Sequence, residues 1–332
     1  MSSKKWISYL FIIVVLFLLP SVIKDSYFLY LAIIAGIFVI LSLSLNVIVG
    51  YAGQMSFCHS AFFGVGAYTS ALLVMNLKFS FWLALPLAMV AALILAFIIG
   101  YPSLRLRGPY FAIVTVGCAE VVRSILYNWV DLTGGPMGLP KVPPPDPIRL
   151  GNLFTLTFDT RQSYYYLVLV FVLLTLFVII KLVRSKAGRA FIAIREDEGF
   201  ARSIGIDIKG YKILAFSISA IFGGMAGSLY AHYILFISPV SFTIMESINI
   251  ILMVIIGGMG TMIGPILGAI LLTALPEVLR AVADYRMVLY GLLLMLVMIF
   301  LPGGLMAALR AVASPFTKGS GTAAKGGSIV RT

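Results

Sequence analysis

Residues 163–183 read SYYYLVLVFVLLTLFVIIKLV, residues 188–212 read GRAFIAIREDEGFARSIGIDIKGYK, and residues 213–234 read ILAFSISAIFGGMAGSLYAHYI. Each flanking run approaches or exceeds the ~20 residues that cross a ~30 Å hydrocarbon core as helix. The island between them holds more than a connector needs: clustered acids, clustered bases, a helix pattern and apolar positions among the charges. Two membrane helices with a structured soluble segment between them is the reading that organises the rest of the chain.

The rest of the chain agrees. Of its 332 residues 61% are hydrophobic and 11% charged, and the mean hydropathy is +1.08, whereas soluble domains carry about 25% charged residues. Apolar stretches near 7–23, 27–49, 81–101, 163–183, 211–234, 244–260, 262–282 and 286–302 approach or reach spanning length. Two more, 57–76 and 109–127, are helical in pattern but richer in glycine and polar groups. Because lipid leaves backbone groups no partner, those two need shielding by other helices. The fold class expected is therefore all-α, a polytopic membrane protein of about ten transmembrane or partly spanning helices. The first stretch lacks a small-residue cleavage site before Lys24 and Asp25, so it reads as a retained helix.

Basic residues favour cytoplasmic loops. With the N-terminus inside and every segment crossing, Lys4, Lys5, Arg105, Arg107, the island and a tail with Arg310, Lys318, Lys325 and Arg331 fall on one side. That places both termini in the cytoplasm. The net charge of +12 then reflects membrane borders, and no nucleic-acid motif accompanies it. A transmembrane domain over 1–312 is expected, with a non-cytoplasmic loop over 128–162 stiffened by Pro136, Pro140, Pro143, Pro144, Pro145 and Pro147. The island lies in a cytoplasmic loop over 184–212. Residues 313–332, with Gly319, Gly321, Gly326 and Gly327, lack apolar periodicity and read as a flexible cytoplasmic tail.

Several polar residues fall inside apolar stretches. A carboxylate at mid-membrane costs roughly 2.5 to 3.5 kcal/mol on insertion scales, so Glu120 and Glu246 should face protein or water. Glu120 has Arg123 one turn later. Asn46, Gln54, Ser56, His59, Thr115 and Asn249 join them as candidates to line a polar route, although interhelical hydrogen bonding is the stronger reading of each. His59 and His232 have no acidic or cysteine partner at ligand spacing, and Cys58 and Cys118 lie in separate membrane segments, so neither a metal site nor a disulfide is expected. No G-x-x-x-x-G-K-[ST], G-x-S-x-G or H-E-x-x-H occurs. No cofactor is expected on this chain, and no motif supports hydrolytic chemistry.

Within the island, Glu196, Asp197 and Glu198 put negative charge at a helix start, Arg202 lies near its end, and Gly205 supplies a left-handed stop. A short helix over about 196–204 follows. Phe200 and Ile204 are four apart, and Ala201 is read as sharing their face.

Arg195 to Gly205, continuing through Tyr211 to Tyr233, resembles the permeases of bacterial branched-chain amino acid ABC importers, the LivM type in particular. Ser44 to Leu72, with Leu45-Asn46-Val47-Ile48-Val49-Gly50-Tyr51-Ala52-Gly53-Gln54, resembles them too, as do Leu104 to Leu139 and Ile256 to Gly268. In that family a cytoplasmic E-A-A-x-x-x-G loop is the coupling helix that enters a cleft on an ATPase subunit. Ala201 and Gly205 match its second Ala and its Gly, while Gly199 and Phe200 replace its Glu and first Ala, the acid having moved to Glu196–Glu198. Cys58-His59-Ser60 departs from the small residues that often flank His59 in the family. The resemblance implies a transport subunit of the bacterial inner membrane, without enzymatic activity, moving Leu, Ile or Val. Its partners would be a second permease of the LivH type, two ATP-binding subunits that hold ATP and Mg²⁺, and a periplasmic substrate-binding protein. Arg195, Glu196, Asp197, Glu198, Phe200, Ala201, Ile204 and Gly205 would couple to the ATPase. The same machinery for urea or short amides, or an ion-coupled transporter or channel using Glu120, are the alternatives.

Overall fold

The computed structural model describes residues 25–150 except 105 and 107, residues 154–279, residues 17, 20, 291, 292, 295, 296, 299 and 300, and residues 303–307. The expected spans 7–23 and 286–302, Arg105, Arg107 and the tail 313–332 lie wholly or mostly outside the described residues.

Six described helices are long and apolar enough to cross a bilayer. They are α1 (Ser26–Asn46, prolonged to Tyr51 by a π-helical turn, Val47–Tyr51), α2 (His59–Leu77), α3 (Phe81–Ser103) and α4 (Pro109–Asn128), then α6 (Arg161–Arg184) and α9 (Ile208–Ile234). The short α5 (Val130–Thr133) follows α4. Between α6 and α9 lie α7 (Lys186–Glu196) and α8 (Glu198–Ser203), and after α9 come α10 (Ile244–Gly257) and α11 (Gly264–Val278). The two stretches richest in glycine and polar groups, 57–76 and 109–127, are thus full-length helices α2 and α4.

Two regions carry more detail than their apolarity or proline content predicts. Over 244–260 and 262–282 the chain forms helices of 14 and 15 residues, about 21 and 22 Å at 1.5 Å per residue and short of a ~30 Å core. A turn carrying Gly258 and Gly260, both at positive φ, separates them. They pack back to back: a Cβ on Gly268 would lie 1.9 Å from the Met253 carbonyl oxygen. The described residues thus hold six full-length spans and this half-length pair, while the other two expected segments, 7–23 and 286–302, fall mostly outside them. The loop over 128–162 also holds more than proline-stiffened coil. Leu139–Pro140 (β1) pairs antiparallel with Phe236–Ile237 (β4), and Ile148–Leu150 (β2) pairs with Phe154–Leu156 (β3).

The core centres on α9, which packs on α1, α2 and α3. Glycines make this possible. A Cβ on Gly66 of α2 would lie 2.2 Å from the Gly224 carbonyl oxygen of α9, and one on Gly227 would lie 2.0 Å from that of Phe63. Lipid tails are as apolar as leucine, so helices in a membrane gain association from such close contact and from interhelical hydrogen bonds. The bonds are present. Ser228 Oγ donates to Ser70 Oγ at 2.7 Å, Ser70 Oγ lies 2.9 Å from His232 Nε2, and His232 Nδ1 donates to the Pro143 carbonyl at 2.6 Å. A carbonyl only accepts, so Nδ1 carries the proton and Nε2 receives the Ser70 hydroxyl. This chain ties α2 and α9 to the proline-rich loop.

The elements sort into two ends. At one end the proline-rich loop meets the start of α3, where Asp146 accepts the Phe81 amide at 2.9 Å, and Arg161 at the start of α6 donates to the Ser26 carbonyl at 2.7 Å. At the other end lie Tyr51, the end of α3, helices α7 and α8, and the turn between α10 and α11; there Lys209 sits 4.3 Å over the Tyr101 ring. This grouping of loops matches the alternation inferred from the basic residues.

Candidate functional site

The island folds as two helices. Ser185 turns the chain sharply out of α6 and caps α7, its hydroxyl accepting the Ala187 amide at 3.1 Å. Helix α7 buries Ala190, Phe191 and Ile194 at helical spacing and leaves Arg189 outward. The sequence reading missed it and assigned Glu196 to the start of the next helix. Glu196 instead ends α7 and pairs with Arg195 at 2.5 Å. Asp197 is the cap of α8, with Oδ1 accepting the amides of Gly199 at 2.7 Å and Phe200 at 3.0 Å, and Glu198 lies in its first turn.

The stop after α8 is as expected and more fully built. Gly205 has φ +82°, its amide donates to the Arg202 carbonyl at 3.0 Å, and the Ile206 amide donates to that of Ala201 at 3.0 Å. These two bonds form a Schellman motif, which needs a left-handed residue where Gly205 stands. Six residues are thereby held at both ends. Phe200 is 64% exposed and Ile204 58%, whereas Ala201 is fully buried against Ile194 and Ile208. The shared face inferred for these three is thus corrected: Ala201 seats the helix, and Phe200 and Ile204 project from it. Positions 200 and 201 differ by about 100° around a helix, which separates the two roles.

Two charged side chains join this helix pair to the membrane helices. Arg195 Nη1 donates to the Gly50 carbonyl at 2.9 Å, inside the π-helical turn that ends α1. Asn46 opens that turn, its Nδ2 donating to the Thr261 carbonyl at 2.8 Å and its Oδ1 accepting the Gly260 amide at 2.9 Å. A π-turn frees backbone groups from the regular helix ladder, and Arg195 and the α10–α11 turn close around it. Gly50 and Gly260 leave space for this: a Cβ on Gly50 would lie 2.5 Å from the Gly260 nitrogen, and one on Gly260 would lie 2.7 Å from Arg195 Nη1. The second link is Glu198, which pairs with Lys212 in the first turns of α9 and lies 3.5 Å from Gln54 Nε2. Lys212 is only 2% exposed. Its signal in the sequence was an ionisable residue at the edge of an apolar run, which requires a partner.

The eight route candidates do not converge. Asn46 and Gln54 belong to the junction just described. His59 is buried between α1, α2 and α9, with Nε2 3.0 Å from Ser44 Oγ and Nδ1 3.5 Å from Ser219 Oγ. Thr115 accepts the Phe57 amide at 3.1 Å, and Ser56 is buried beside it. Glu246 lies in the first turn of α10 with Asn249 bonded to it, at the end that carries the proline-rich loop. Glu120 pairs with Arg123 at 2.7 Å on a largely uncovered face of α4. A cavity of about 460 Å³ at the looped end, lined by Tyr30, Phe158, Arg161, Tyr164 and Tyr233 among others, contains none of the eight.

What the junction can do is mechanical. It offers a capped, projecting helix anchored to α1, α9 and the α10–α11 turn. Residues 27–301 match the family described as the permease component of the branched-chain amino acid transport system. The chain belongs to this family. It is 42% identical over 313 residues, 89% of this chain and 73% of the relative, to the high-affinity branched-chain amino acid transport system permease protein LivM of Escherichia coli K12. It is 26% identical over 335 residues to a probable LivM permease of Methanocaldococcus jannaschii, covering 85% of this chain and 94% of that one. The LivH permease of the same Escherichia coli strain is 25% identical over 288 residues, 81% of this chain and 91% of LivH. No solved structure matches. Family membership and the apolar helices make this a multi-pass membrane transport subunit, and place it among proteins that include two kinds of permease, LivM and LivH.

Proposed function

We propose that this chain is the permease subunit of an ABC importer that carries leucine, isoleucine or valine across the bacterial inner membrane, and that α8 is its coupling helix. It works beside a second, LivH-like permease, two ATPase subunits that bind ATP and Mg²⁺, and a periplasmic binding protein. The end bearing α7 and α8 faces the cytoplasm, as do both termini, and the proline-rich loop over 128–162 receives the binding protein. The permease domain extends over 1–312, and residues 313–332 are a flexible tail.

The observation that carries this reading is a six-residue helix, fixed by Asp197 and Gly205, that projects Phe200 and Ile204 while Arg195 and Glu198 bind its base to α1 and α9. Apolar side chains projecting from a charged, rigid mount suit a groove on a soluble protein. When the ATPases close, a pull on α8 passes through Arg195 to the π-turn of α1 and through Glu198 and Lys212 to α9. Glycine contacts then move α2 and α3 with α9, a rigid-body rearrangement between states whose relative energies the ATPases bias. Glu120, Glu246, Asn249, His59, Thr115 and Ser56 remain candidates for the route or its walls.

The test is co-purification. Phe200→Asp with Ile204→Asp is expected to lower ATPase subunit recovered with the permease at least tenfold, at unchanged permease yield, because both side chains are already in solvent. Undiminished recovery would refute α8 as the docking element.

A further inference from the structure

Three spanning helices, α3, α4 and α6, leave most of their surface uncovered, and what they uncover differs. On α3 the exposed side chains include Leu83, Val90, Ile94 and Ile98, and on α6 Val170, Leu174, Phe177 and Val178. These are hydrocarbon, as a lipid-facing surface should be. Helix α4 instead exposes Ile113, Gly117, Val121, Ser124 and Asn128 in one stripe, with Glu120 and Arg123 beside it. Glu120 is the twelfth of the twenty residues Pro109–Asn128, near mid-membrane.

Hydrocarbon cannot serve this stripe. The Arg123 and Glu120 side chains remain 30% and 36% exposed, and their mutual bond occupies one of five guanidinium donors. Ionised groups inside a bilayer are found facing protein or water. Gly117 is a second, independent sign. A Cβ there would meet nothing within 4 Å, so the packing of this chain does not require glycine, whereas a helix from another chain crossing at that point would gain close approach from it.

We propose that this face of α4 is the seam with the second permease subunit, a different member of the same family, with Gly117 at the crossing and the Glu120–Arg123 pair enclosed between the two chains. The inference rests on the paired-permease reading above. A distinct relative is the occupant because the chain is similar to both LivM and LivH of one Escherichia coli strain, each named as a permease protein of a high-affinity branched-chain amino acid transport system. Relatives of one fold can pair about a pseudo-twofold axis, in which like faces meet.

Photo-cross-linking in membranes that co-express the second permease tests this. Benzoylphenylalanine at Val121 or Ser124 is expected to yield an adduct of the two different permeases, and at Phe177 only lipid adducts. Gly117→Trp should cut recovery of the partner at least tenfold, and Gly117→Ala should lower it by less. The cross-linking arm stands even if the tryptophan variant fails to accumulate. Adducts with the partner from Phe177 but not from α4, or α4 adducts joining two copies of this chain, would overturn the assignment. A second permease that co-purifies without any α4 adduct would sink the seam alone; one that never co-purifies would sink the paired-permease reading itself.

Discussion

Arg195→Ala is expected to lower ATP-driven uptake by tenfold or more while leaving the ATPases bound and hydrolysing. The side chain contributes a charged hydrogen bond to the Gly50 carbonyl, a class worth about 1.5 to 3 kcal/mol, and tenfold corresponds to about 1.4 kcal/mol. The loss falls on coupling because Arg195 lies outside α8, whose ends stay fixed by Asp197 and Gly205 and whose Phe200 and Ile204 still project. Without the guanidinium, the π-turn carbonyl loses its grip on α7, and α8 can move without moving α1. Arg195→Lys should recover only part of the effect, since a single ammonium cannot hold Gly50 and Glu196 in the guanidinium's fixed geometry. The measurement is the ratio of substrate imported to ATP hydrolysed. An unchanged ratio would show that force passes elsewhere.

Gly66→Ala and Gly227→Ala are expected to deplete folded permease in the membrane, Gly66→Leu more severely. The added carbon would lie about two ångströms from a backbone oxygen, 2.2 Å for Gly66 and 2.0 Å for Gly227, where no rotamer change gives relief. Whole helices must separate. Overpacking typically costs about 1 to 3 kcal/mol and occasionally more, a large share of the roughly 5 to 15 kcal/mol that holds a typical domain together. Gly117→Ala, with open space around it, serves as the matched control. Detergent-resistant, monodisperse protein quantified for each variant checks the prediction; wild-type yields for both core glycine variants would contradict the packing described.

The spans were legible because a membrane demands long apolar helices, and α1, α3 and α6 stand out by hydropathy alone. Helix α8 was legible as well, since Asp197 and Gly205 signal its two ends through chemistry local to the backbone. Other features depend on what lies across space. Apolarity through 244–282 reads as two spans, and only the close contact of Gly257 and Gly268 with the facing helix reveals a half-length pair. In a helix of six residues, periodicity is too short to tell Ala201 from Phe200. A polar group such as His59 or Thr115 requires a hydrogen-bond partner whether it lines water or a neighbouring helix, so sequence could not separate the two. Asn46 shows what sequence leaves out: its side chain fastens a π-turn to the turn between α10 and α11.

The central claim is that this chain moves branched-chain amino acids only as the membrane half of an ATP-driven machine. Proteoliposomes containing the chain, a LivH-like permease, the two ATPases and the binding protein should import radiolabelled leucine when ATP and Mg²⁺ are supplied on the α8 side, and import nothing when the ATPases are omitted. Leucine uptake of equal rate without them, driven by an ion gradient, would contradict the account.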